Sequence, residues 1–154
     1  MKRYLAILSL AVLALFNLVS GAAADKTLLN VDKEGLALQG YDPVAFFTVK
    51  APVPGRPEFT SEHNGAKYRF RSAKSKAAFD AEPAKYVPQF GGYCAFGVSK
   101  GKLVSIDVNA FQIVESRLLL QYSPGVRDEF NQDTPGNLKK ADANWPKLVD
   151  KKGK

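Results

Sequence analysis

Beyond residue 24, hydrophobic and polar positions fall into short runs whose period changes every ten residues or so. Residues 27–31 and 44–49 carry the β-branched and aromatic content of short strands. Between them lies Gly40-Tyr41-Asp42-Pro43, a turn signal in which the Asp before Pro is held away from the helical region. Three prolines among Pro52, Pro54 and Pro57 remove three backbone donors, so 51–57 is expected to be a surface loop. Two alternating runs follow, 58–63 and 67–71, joined by Asn64-Gly65-Ala66. Asn-Gly tolerates positive φ at both positions and marks a hairpin. Phe59 and Ser61 share one face of its first strand, and Tyr68 and Phe70 alternate with Lys67, Arg69 and Arg71 on its second.

Ser72 caps a predicted helix over Ala73–Ala81, and Pro83 opens a short turn through Tyr86. The glycine-rich stretch 91–98 reads as extended, followed by the turn Ser99-Lys100-Gly101-Lys102. Runs 111–114 and 118–122 predict a second hairpin. Ser123-Pro124 and Thr134-Pro135 each set a cap before a proline, the opening of a helix. Those helices are expected over 126–131 and 136–149, the second interrupted by Pro146. The fold class predicted is α+β: a small antiparallel sheet built from hairpins, with helices packed on one side.

The first 24 residues follow a different pattern. Lys2 and Arg3 precede an apolar run from Tyr4 to Val19, then small residues end in Ala22-Ala23-Ala24 before Asp25-Lys26. A basic start, an apolar centre and an A-x-A-like end describe a secretory signal peptide, 1–24, leaving one domain over 25–154. The run is shorter than the ~20 residues a spanning helix prefers, so no membrane anchor is expected after cleavage. The expected location is periplasmic or secreted. Cleavage leaves 20 basic against 15 acidic side chains and removes the single methionine. Without a continuous basic stripe, nucleic acid is not an expected partner. The tail Asp150-Lys151-Lys152-Gly153-Lys154 reads as a solvated end.

Scarcity limits the chemistry further. One cysteine and one histidine exclude an intramolecular disulfide and any zinc site of four cysteines, two cysteines with two histidines, or three histidines in one chain.

Several segments together resemble the YHS domain in its exported bacterial form. They are Gly40-Tyr41-Asp42-Pro43-Val44-Ala45-Phe46-Phe47, then Asn64-Gly65-Ala66-Lys67-Tyr68-Arg69-Phe70-Arg71-Ser72, Phe79 and Glu82-Pro83-Ala84-Lys85-Tyr86. Pro88-Gln89-Phe90-Gly91-Gly92-Tyr93-Cys94-Ala95-Phe96 and Ala141-Asp142-Ala143-Asn144-Trp145-Pro146 extend the resemblance to about 35–148. YHS domains often accompany heavy-metal transport proteins. Where their metal-associated forms carry cysteines, this chain holds Ala45, Arg71 and Ser75.

Cys94 is the one residue with soft-ligand or nucleophilic character. It reads as a small buried hydrophobe in a strand, as a ligand or reactive thiol, or as half of an intermolecular disulfide. His63 reads as a turn histidine or as the partner of Cys94, the two being the candidate metal ligands. Tyr41, Asp42, Tyr93 and Cys94 are the candidate small-ligand residues, with Asp42 equally suited to capping its own turn. The cofactor is left open, a transition-metal ion such as copper being the class these two soft donors bring into question. Three functions compete: a non-enzymatic module binding a small ligand or, weakly, a metal ion; a structural or interaction protein, served by a protein partner, without a ligand site; and a thiol enzyme built on Cys94 with His63 as base.

Overall fold

A computed structural model describes residues 25–154; the expected signal peptide, 1–24, lies outside the described residues. The elements run α1 (Pro43–Thr48), β1 (Arg56–His63), β2 (Ala66–Phe70), α2 (Ala73–Ala81), α3 (Pro83–Tyr86), α4 (Ala95–Ser99), β3 (Asp107–Val114), β4 (Arg117–Gln121), α5 (Pro124–Phe130) and α6 (Thr134–Lys152). The fold is α+β, with strands confined to two antiparallel hairpins, β1–β2 and β3–β4. No helix among the described residues is long and apolar enough to cross a membrane.

The turn of the first hairpin forms where the sequence predicts it, but β1 starts at Arg56, so Arg56 and Pro57 belong to a strand and not to the expected loop 51–57. Asn64 and Gly65 both take positive φ, as a two-residue turn matching the strand twist requires. Ala66, Tyr68 and Phe70 point inward, and the register sets Ser61 opposite Tyr68 and His63 opposite Ala66. Phe79 of α2 is the hub of this half, with Tyr68 and Phe70 at 5.0 Å between ring centroids and His63 edge-on at 6.0 Å. The second hairpin is longer than 111–114 predicts, because β3 starts at Asp107 and continues across an irregularity before Phe111. Its turn, Glu115-Ser116, takes positive φ at both residues without a glycine.

β4 is buried on both faces. Leu118 and Leu120 join the core around the first hairpin, and Leu119 joins a second cluster with Phe130, Leu138, Ala141 and Leu148. Two-sided burial removes the usual polar face and makes Arg117–Gln121 a nearly continuous apolar run.

Four expectations are corrected. Residues 44–49 are not a strand: Asp42 caps α1 by accepting from Val44 N (2.8 Å) and Ala45 N (3.3 Å), with Pro43 preorganised in the first turn. Local capping overrides β-branched content there. Residues 91–98 are not extended: a 3₁₀ turn, Phe90–Gly92, leads to Cys94, which caps α4. Cys94 still sits beside β4 through an isolated bridge to Leu120, so the neighbour suits a strand although the backbone turns. Pro146 does not interrupt α6, which runs on to Lys152. Leu138, Ala141, Trp145 and Leu148 recur at three- and four-residue steps, and their packing outweighs the one lost backbone bond. Residues 27–31 form no strand of their own, although Val31 bridges Ala37.

Candidate functional site

Residues 26–29 lie across one side of the domain and are held at both ends. Thr27 and Lys154 exchange backbone hydrogen bonds (3.0 and 2.9 Å), and Asn30 donates to Gly91 O (2.8 Å) through its backbone and to Gly92 O (3.0 Å) through its side chain. This strap forms one wall of an open pocket of about 230 Å³. His63, Asn64 and Tyr68 enter from the first hairpin, Val87, Pro88 and Gly91 from the segment after α3, and Trp145 and Val149 from α6. A dry cavity of about 150 Å³ accommodates benzene, so a monocyclic ligand fits by volume.

The local sequence explains each wall. His63 and Tyr68 share the inward face of the hairpin because side chains alternate along a strand. Trp145 is aimed inward by its spacing from Ala141 and Leu148, and packs against Phe90 at 6.0 Å. Arg117 fixes two walls together: Nε donates to Gln89 Oε1 (2.9 Å), while Nη1 and Nη2 fork onto Asp142 (3.0 and 2.5 Å). The Asp142 hydrogen bonds raise the Arg117 pKa still further, and the guanidinium also stands over Phe90 at 5.6 Å.

Tyr68 is the informative residue. It is 4% exposed, and burial pushes its hydroxyl up to about 12 with no hydrogen bond contributing. A phenol removed from water ordinarily finds a partner. The folded pKa exceeds the ordinary 10.0, so the contribution of this group to stability is complete below pH 10 and is lost as pH rises through about 12. The expected loss at pH 11 is roughly 1 kcal/mol. Urea midpoints at pH 8 and 11 check it: the wild type loses that increment and Tyr68→Phe does not.

The residues chosen from the sequence are distributed differently. His63 is half-buried in the cavity wall rather than exposed in the turn. Cys94 is 1% exposed; its thiol donates to Gln121 Oε1 (3.3 Å) and accepts from Gly97 N (3.5 Å). No hydrogen bond joins Cys94 to His63, and Cys94 is absent from the cavity wall. Among the described residues, no three His, Cys, Asp or Glu side chains are grouped so as to hold a metal ion. Asp42 is fully buried, its second oxygen accepting from Arg71 N (3.0 Å), so its carboxylate ties α1 to the end of β2. Tyr41 bridges Pro54 and packs on the first core cluster. Tyr93 donates to Leu29 O (3.3 Å), and burial raises its pKa. With Thr27, Leu28 and the two terminal lysines Lys152 and Lys154 it lines a second hollow of about 300 Å³. Tyr41, Asp42, Tyr93 and Cys94 therefore share no single cavity. Tyr68, Trp145 and the strap were not singled out from the sequence, although the period-two alternation already turned Tyr68 inward.

No family model, curated protein or solved structure matches the chain.

Proposed function

We propose that this is an exported, YHS-like, non-enzymatic module that binds a small ligand in the cavity beneath the strap. The observation that carries the reading is Tyr68: a largely buried tyrosine in the wall of a 230 Å³ pocket, whose hydroxyl keeps contact with that space and takes no hydrogen bond from the described residues. Convergent polar groups in a mainly apolar hollow are the usual composition of a small-molecule site. The small-ligand form of the reading is preferred to the metal form on a physical ground. A metal held by Cys94 and His63 would need the thiol released from Gln121 and withdrawn from the core. Thiol catalysis would need the same release, since a nucleophile must reach its substrate.

Trp145 is the single tryptophan and lies in the cavity wall, so its emission reports occupancy directly. Ligand-observed NMR of residues 25–154 against a neutral, anionic and cationic fragment set is expected to yield hits that also change Trp145 fluorescence. Leu28→Trp, which fills the cavity from the strap side, is expected to abolish those hits. A screen in which no fragment alters Trp145 emission overturns the reading.

A further inference from the structure

The side chains around the cavity divide sharply by chemistry. Leu28, Val87, Pro88, Trp145 and Val149 offer apolar surface. The polar side chains are Lys26, Thr27, His63, Asn64 and Tyr68; each can donate a hydrogen bond, and among the described residues no carboxylate side chain lines the cavity. A ligand that satisfied them would bring acceptors rather than donors.

Two further observations give the acceptor a charge. The Tyr68 hydroxyl faces the cavity with no hydrogen bond to the described residues, and a phenol donates most strongly to an anionic oxygen. Lys26 is committed only weakly. Its Nζ donates to Asp150 O (2.8 Å) and stands 3.6 Å from an Asp150 carboxylate that is 88% exposed. An exposed pair of that kind contributes little, so the ammonium is free to turn toward the cavity mouth. An amine ligand would meet no counter-charge there. A bare inorganic anion would leave the tryptophan and aliphatic walls unsatisfied, and the volume exceeds that of a cavity of roughly 150 Å³ able to hold benzene.

Resting on the small-ligand reading above, we infer that the cavity takes a small aromatic carboxylate. The apolar walls receive its ring, and Tyr68 and His63, assisted by Lys26, receive its carboxylate.

Benzoate, benzamide and benzylamine test the assignment, because they share a ring and differ in the charge of the polar group. Binding to residues 25–154, which carry every contact described above, is followed by Trp145 fluorescence and calorimetry. Benzoate is expected to bind at least about tenfold more tightly than either isostere, as one charge-assisted hydrogen bond implies. Tyr68→Phe and His63→Leu are each expected to remove about five- to tenfold of benzoate affinity and a smaller factor of benzamide affinity, because the neutral carbonyl accepts a weaker bond from the same donors, circular dichroism verifying that both variants fold. Benzamide or benzylamine binding as tightly as benzoate overturns the carboxylate assignment and leaves the cavity reading intact. No response from these three or from the wider fragment set overturns both.

Discussion

Asp42→Ala is expected to lower the stability of the domain by about 3 to 4 kcal/mol, combining a lost helix cap with a buried amide left unpaired. Asp42 is wholly buried and its two oxygens accept from three backbone amides. Oδ1 serves Val44 and Ala45, which starts α1, and Oδ2 serves Arg71, which closes the end of β2 twenty-nine positions away. Asp42→Asn separates the two duties. One amide oxygen can still cap α1, while the new NH₂ group faces the Arg71 N–H, donor against donor, so Asn restores only part of the loss. Urea denaturation of the three proteins checks both steps. Equal stability of wild type and the Asn variant would remove the role assigned to the Arg71 contact.

Gly91→Ala should have the second largest effect, about 3 kcal/mol, and should also abolish ligand binding. Gly91 holds φ at +59°, where a side chain costs about 1 to 2 kcal/mol. A Cβ there would overlap the Leu28 carbonyl oxygen outright and stand 3.0 Å from the Trp145 ring. Backbone cannot yield as a flexible side chain does, so the strap must move outward. That movement breaks the Asn30 N–H bond to Gly91 O, worth about 1 kcal/mol, and displaces one wall of the cavity. Thermal unfolding gives the stability change, and faster hydrogen exchange at Asn30 identifies the strap as the part released. A variant as stable as wild type, with Asn30 still protected, would contradict this account.

What could be read in the sequence is the chemistry that acts over a few residues. Asn64-Gly65 specified the first hairpin, and Ser72 and Ser123 capped their helices as expected, accepting from Ser75 N and Val126 N. Where two local signals competed, the weaker one was followed. Val44, Phe46 and Val49 suggested a strand, yet the Asp42-Pro43 pair starts a helix before β propensity can act. At the start of α6 the cap is Asp133, accepting from Gly136 N, rather than the Thr134 that the Thr-Pro pattern indicated. The continuity of α6 through the exposed Pro146 depends on core contacts that its neighbours Ala141, Trp145 and Leu148 make with distant residues, which no local pattern carries.

The site was less legible than the fold for the same reason. Cys94 is taken up by a tertiary bond to Gln121, whereas Asp42 caps its own turn, as its place before Pro43 indicates, and adds one distant bond from Arg71 N that no local pattern carries. The cavity exists only because residues 26–29, the first hairpin and α6 meet, and these lie at opposite ends of the chain. Alternation along β2 could turn Tyr68 inward, but it could not show that nothing would fill the space beside its hydroxyl.

The reciprocal bonds between Thr27 and Lys154 also impose an order of assembly. During synthesis, Thr27 is among the first described residues to be made, whereas the carbonyl and amide that receive it are among the last. The first hairpin has its partners earlier, whereas α4 and β4 complete their packing against Leu138, Ala141 and Leu148 of α6. A chain that stops short of residue 154 therefore loses both backbone bonds that hold the strap at Thr27.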